Sequence, residues 1–217
     1  MDNSGLDKAI DTLYANKDNW ANLSLSKKIP LFQSLTSKTI EVAKDWADAA
    51  VQAKSIPKDS PLSGEEWTSG PWALIYGIES MVETLKALDK GKNPPIGKIR
   101  SRSDGQLVAN IFPYNIYHHL LLSGIRAEVW MQKDVNEDNF NEHIAQVYRT
   151  DSQNGHISLV LGAGNVSSIP PLDVLDRLFA HKSVSLLKVH PVNDYLKDIF
   201  AKIFEDFISE GYVQIVS

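Results

Sequence analysis

The run His156-Ile157-Ser158-Leu159-Val160-Leu161-Gly162-Ala163-Gly164-Asn165 decides the fold class. A short apolar stretch closed by a glycine turn reads as a strand that is left abruptly. Ser167, Ser168 and the pair Pro170-Pro171 then open a helix with Val174, Leu175, Leu178 and Phe179 on one face. Val184 to Val189 forms the next strand. Asn193 or Asp194 is positioned to cap a second helix, whose stripe runs Tyr195, Leu196, Ile199, Phe200, Ile203, Phe204, Phe207, Ile208. Gly211 ends that helix, and Tyr212 to Val216 reads as a third strand. Strand–helix–strand–helix–strand at this spacing predicts right-handed crossovers and a parallel sheet.

Upstream the texture changes. Gln106 to Phe112 sets Leu107, Ala109 and Ile111 against Gln106, Val108 and Asn110, and Ile125 to Gln132 alternates in the same way. Both are period-two patterns and predict half-buried strands, with space for a short helix between them. Asp134 to Thr150 is polar, with an amphipathic turn through Phe140, Ile144, Val147 and Tyr148. Further upstream the pattern is helical. Leu6, Ala9, Ile10 and Leu13 share a face. A helix from about Ser26, with Pro30 in its first turn, presents Leu31, Leu35, Ile40, Ala43, Trp46, Ala47, Ala50 and Ala53. Pro57 to Gly64 reads as loop. A further helix, Pro71 to Leu88, carries Leu74, Ile75, Ile78, Met81, Val82 and Leu85. Lys90 to Asp104 is a basic connector, read as a solvated linker in preference to a phosphate-facing patch.

Three regions follow. Residues 1–104 form a helical region, 105–150 a strand and hairpin region packing on the sheet, and 151–217 a partial dinucleotide-binding βαβαβ unit. The class is α/β, with N-terminal helices and a β-hairpin region followed by a partial parallel, Rossmann-like sheet.

Composition narrows function. In 217 residues, 22 basic against 27 acidic side chains leave a net charge of −5, which supplies no general field for phosphate backbones and argues against a nucleic-acid partner. Cysteine is absent, which excludes disulfides, thiolate nucleophiles and Cys-ligated metals. The six histidines form no ligand set: His118 and His119 are adjacent, and neither has a ligand at i+3 or i+4, so no metal is expected. With neither a secretory signal nor a membrane span in view, a soluble cytoplasmic protein without a membrane partner is the expectation.

Chemistry concentrates at the glycine turn. Gly162, Ala163 and Gly164 lie outside the carboxyl end of a strand at the start of a helix, where open parallel sheets bind ligands. Two readings stand side by side: a cradle for phosphate at a helix N-terminus, or a turn that simply needs glycine. Ser167 occupies the place of the third glycine of a dinucleotide fingerprint. Lys188, not an acidic residue, follows the second strand. Asn165 offers an amide able to donate to a developing oxyanion, against the plainer reading of a turn asparagine.

The blocks LGAGNVSSIPPLDVL from Leu161, LLKVHPVNDYL, and the segment from Phe112 to Met131 resemble the N-terminal half of bacterial aldehyde dehydrogenase-like proteins. The resemblance covers residues 20 to 217. It implies an asparagine-assisted oxyanion site at Asn165, and NAD or NADP held against Gly162, Ala163, Gly164, Lys188 and His190. Lys188 matches a ribose-binding lysine, whereas Pro191 stands in place of a ribose-binding glutamate.

The family's nucleophilic cysteine and general-base glutamate would lie after the third strand, beyond Ser217. A chain with no cysteine has no group to form the thiohemiacetal. The expectation is therefore an aldehyde dehydrogenase-like NAD(P)-binding portion, inactive in aldehyde oxidation alone. The alternative is a non-enzymatic binding or assembly protein that retains the fold. The two-sided apolar strands imply a sheet covered on both faces, with one edge left open. The partner expected there is either a polypeptide carrying a C-terminal half or a second copy in a homo-oligomer.

Overall fold

The computed structural model describes residues 4–57, 59–122, 124–150 and 154–217. Helices α1 (Ser4–Asn22), α2 (Leu25–Ala53), α3 (Ser63–Trp67) and α4 (Ala73–Asp89) come first. Strands β1 (Ile99–Ser101) and β2 (Leu107–Phe112), helix α5 (Ile116–Leu121) and strand β3 (Ala127–Trp130) follow. The chain then runs through β4 (Ile157–Leu161), α6 (Ile169–Ala180), β5 (Val184–Lys188), α7 (Lys197–Ile203), α8 (Glu205–Ser209) and β6 (Val213–Val216). These elements gather into two compact units, Met1–Val82 with Asp151–Ser217, and Glu83–Thr150.

In the first unit β4, β5 and β6 form a parallel sheet in that order, as the strand–helix alternation requires. Register assigns the faces. Leu159, Leu186 and Gln214 lie side by side on one face, and Val160, Leu187 and Ile215 on the other. Burial of β5 is complete at Leu187 and nearly so at Leu186, but Leu159 and Leu161 on β4 are 61% and 70% exposed. The expected cover on both faces therefore fails at β4. A side chain on an edge strand is shielded only if a helix reaches over it, and among the described residues none covers Leu159 and Leu161 of β4.

Trp20 shows why the N-terminal helices belong to this unit. Its ring is fully buried, 4.9 Å from the Tyr212 centroid, 5.7 Å from Phe207 and 6.3 Å from Phe32, and Nε1 donates to the Leu178 carbonyl at 3.3 Å. One indole thus ties α1 to α2, α6, α8 and the start of β6. Offset and edge-on contacts of this kind add to the area term that dominates such a core.

Several local expectations are corrected. The buried stripe of α2 is Phe32, Leu35, Thr39, Val42, Trp46, Ala47 and Ala50, with Ile40 exposed. Leu35, Trp46, Ala47 and Ala50 are kept, but Phe32, Thr39 and Val42 replace Leu31, Ile40 and Ala43, with Phe32 meeting the Trp20 cluster. Helix α2 starts at Leu25, so Pro30 sits a turn deeper than the first turn. The stretch 57–64 is not all loop, since α3 begins at Ser63, and a wide turn over Thr68–Trp72 joins it to α4. Downstream, one long helix becomes a 3₁₀ turn (Pro191–Leu196), α7 and α8, with the break at Phe204. Leu196, Phe200, Ile203, Phe204 and Phe207 are all buried, so the periodic stripe survives the break.

The second unit holds the antiparallel sheet β1–β2–β3. Leu107 and Ala109 join Val135 and Phe140 in its core, while Val108 is buried too and Ile111 is exposed, so β2 does not follow the alternation. An irregularity between Asn110 and Phe112 shifts the register there. The predicted short helix is α5, and the polar stretch forms 3₁₀ turns at Phe140–His143 and Gln146–Tyr148. Among the described residues no helix is long and apolar enough to cross a membrane.

Candidate functional site

The turn leaving β4 is built by bonds to the segment leaving β5. The Gly162 N–H donates to the Lys188 carbonyl at 2.9 Å, continuing the parallel ladder by one rung. The Ala163 carbonyl accepts from Asn193 Nδ2 at 2.9 Å, and Asn193 is buried. A Cβ on Gly164 would meet His190 Nδ1 at 2.8 Å and Cε1 at 2.9 Å. The imidazole therefore lies directly on the Gly164 backbone, and its Nδ1 accepts the Val192 N–H at 3.2 Å. Gly162, Ala163, Gly164, Lys188 and His190 are thus brought together by main-chain geometry, as the strand-end position anticipates.

Asn193 emerges as a central residue with a different role from the one read in sequence. It does not cap the helix. Its amide crosses to the turn, and His190 supplies the side-chain acceptor at the start of the 3₁₀ segment. Burying an amide is costly unless it is hydrogen-bonded, so the bond to Ala163 holds the two strand exits in register.

Asn165 stands at the rim of the turn and is exposed. Lys188, half-buried, curls back so that Nζ donates to the Val189 carbonyl at 2.9 Å. By register the Lys188 side chain shares the sheet face of Leu161 and Val216. An exposed amide, and an ammonium that among the described residues is engaged only by a main-chain carbonyl, leave donors for a hydroxyl, a phosphate or an oxyanion.

The helix N-terminus contributes less than the sequence pattern suggests. The Ile169 N–H is used by the Val166 carbonyl at 3.3 Å, and the following Pro170 and Pro171 have no N–H. A phosphate cradle at a helix start depends on such first-turn donors. At Gly164 a Cβ would overlap the His190 ring, and at Gly162 it would sit tightly, 3.2 Å from the Lys188 carbonyl oxygen and 3.3 Å from Pro170. Of the two readings of the turn, the packing requirement for glycine is met within the protein itself.

Ser167, the residue in place of the third fingerprint glycine, is buried and accepts from Trp46 Nε1 at 3.0 Å. It fastens the entry of α6 to α2 where a glycine would leave the indole N–H without that acceptor. Local sequence could not have revealed this bond, because its partners are remote in the chain. Among the described residues no group of His, Asp and Glu side chains is placed to hold a metal ion.

A groove of about 410 Å³ runs along β4, lined by Ser158, Leu159, Val160, Leu161, Asp173 and Arg177. Burial raises the Asp173 carboxyl above its ordinary value, Asp176 adds to this, and Arg177 opposes it. The groove flanks the strand and ends at Leu161, where the turn begins.

The Gly164–His190 contact is testable by itself. Gly164→Ala should destabilise the fold by about 1–3 kcal/mol, since the imidazole must leave its place and lose the Val192 bond. His190→Ala removes the obstacle, so Gly164→Ala made in that background should cost clearly less. Equal costs in the two backgrounds, measured by urea unfolding, would show that the steric account is wrong.

No family model matches the chain, and no curated protein matches it.

Proposed function

We propose that this chain is an aldehyde dehydrogenase-like, NAD(P)-binding portion that binds a nicotinamide nucleotide at the exits of β4 and β5 and does not oxidise aldehydes alone. The observation that carries the reading is that an exposed Asn165 and a half-buried Lys188 stand at the bonded exits of two adjacent parallel strands. Ligands of open parallel sheets lie outside the carboxyl ends of the strands. The fit is with ribose and carbonyl recognition by side chains, and the proline-rich start of α6 argues against pyrophosphate on its N-terminus.

A nicotinamide group, when bound, supplies a hydride acceptor. This chain's own contributions are narrower. Lys188 donates to a hydroxyl or phosphate oxygen, Asn165 presents an amide N–H to a carbonyl oxygen that gains charge, and Asn193 keeps both exits fixed. With no cysteine among these 217 residues, acyl-enzyme chemistry requires a thiolate from outside them.

The test is a titration of the purified chain with NAD and with NADP, read by the fluorescence of its five tryptophans. Saturable binding is expected, weakened about tenfold or more by Lys188→Ala, the loss of one charge-assisted hydrogen bond. Asn165→Ala should weaken it less, and aldehyde turnover should be nil in all three proteins. Absence of binding at millimolar nucleotide would overturn the reading, and so would turnover by the rigorously purified chain.

A further inference from the structure

The open side of β4 has a definite pattern. The His156 carbonyl accepts from the Val184 N–H, and the Gly162 N–H donates to the Lys188 carbonyl. In a parallel ladder the backbone groups of alternate residues face the same neighbour. Even-numbered residues of β4 are thus turned toward β5, and Ile157, Leu159 and Leu161 turn their N–H and C=O groups to the open edge. The side chains of these same residues share one sheet face, on which Leu159 and Leu161 are exposed. A straight edge carrying exposed leucines and no lysine or proline has none of the usual protection against pairing.

We infer that this edge joins the same edge of a second copy, in antiparallel register about a two-fold axis through Leu159. That register pairs Leu159 with Leu159 and Ile157 with Leu161 of the other copy, forming about six main-chain hydrogen bonds. The sheet becomes continuous across the dyad, and the exposed leucines form one cluster on its face.

Charge on α6 selects a second copy over an unrelated strand. Helix α6 packs against both β4 and β5, and Asp173 and Arg177, one helical turn apart, border the groove beside β4. With strands roughly 4.8 Å apart, a helix over the β4–β5 seam stands about one strand spacing from the dyad. Two such helices then run antiparallel roughly 10 Å apart, an ordinary helix-packing distance. The two-fold sets Asp173 of each copy opposite Arg177 of the other. Among the described residues the Arg177 guanidinium is ion-paired only with the half-exposed carboxylate of its neighbour Asp176, an arrangement that leaves guanidinium donors for a second carboxylate. An isologous interface needs such self-complementarity, and a strand from another protein would not provide it.

The inference stands on the sheet edge and is independent of nucleotide binding. Sedimentation of the full chain should give a dimer. Asp173→Arg and Arg177→Asp should each weaken it about tenfold or more, because two symmetric pairs become repulsions, and the double exchange should restore it. The cysteine-free sequence adds a geometric probe: Leu159→Cys should be joined to its counterpart by a short bis-maleimide, whereas Cys at exposed Ile40 should not. A wild-type chain that stays monomeric at high concentration overturns the inference. So does a dimer indifferent to the charge exchanges and not linked through position 159.

Discussion

Gly155→Ala is expected to lower the melting temperature of the chain by roughly 10 °C or more, the largest loss from any single methyl group. The reason is a backbone crossing. A Cβ at Gly155 would lie 2.0 Å from the Lys17 carbonyl oxygen, 2.2 Å from its carbon and 2.7 Å from the Asp18 nitrogen. None of these atoms is a side chain able to swing aside. The same crossing is held by the Gly155 N–H, which donates to Asp18 Oδ1 at 2.6 Å. Lys17 and then this N–H keep the Asp18 carboxyl below its ordinary value. Making room for the methyl means separating the end of α1 from the entry to β4, which also draws Trp20 away from its cluster. Overpacking against fixed backbone costs about 3 kcal/mol or more, and a chain of this size loses a few degrees per kcal/mol. Asn154→Ala, one residue earlier and exposed, is the control and should leave the melting temperature unchanged. If the two variants melt alike, the crossing is not the constraint described.

How far such features can be read in sequence depends on the range of the interaction. The βαβαβ order was legible because period and punctuation are local: an apolar strand, a glycine turn, a proline-marked helix start. The positions of Gly162, Gly164 and Lys188 at two adjacent strand exits follow from that order alone. What escaped depends on residues distant in the chain. Asn193 reaches Ala163 across 30 residues and Trp46 reaches Ser167 across 121, and neither pairing leaves a local mark. The exposure of Leu159 and Leu161 was illegible for another reason. An apolar strand reads the same whether a helix, a second sheet edge or solvent lies beside it. Breaks such as the one at Phe204 are hidden too, since a hydrophobic stripe records which side faces the core and not whether the axis is continuous.

The opposite change in stability is expected at Lys28. Its side chain is 1% exposed, with Nζ 4.4 Å from the Trp20 ring centroid and without a hydrogen-bond partner among the described residues. Burial, and secondarily the like charge of Lys182, push its pKa down to about 7 from the ordinary 10.5. Between these two values the unfolded chain holds a proton that the folded chain has released, so stability rises with pH through that window. Below about pH 7 the full cost of a buried ammonium is present, with the Trp20 face as its main compensation. Lys28→Met keeps the length of the side chain, removes the charge and places a polarizable sulfur against the indole. It should stabilise the fold by about 1–3 kcal/mol at neutral pH, raising the melting temperature by several degrees. The advantage should be greatest at pH 6 and should shrink by roughly 1.4 kcal/mol for each pH unit between about 7.5 and 9.5, as wild type sheds the proton. Urea unfolding of both proteins at pH 6, 7.5 and 9 measures this directly. A difference that does not vary with pH would mean that Lys28 keeps its ordinary proton affinity, and that its burial carries no electrostatic cost.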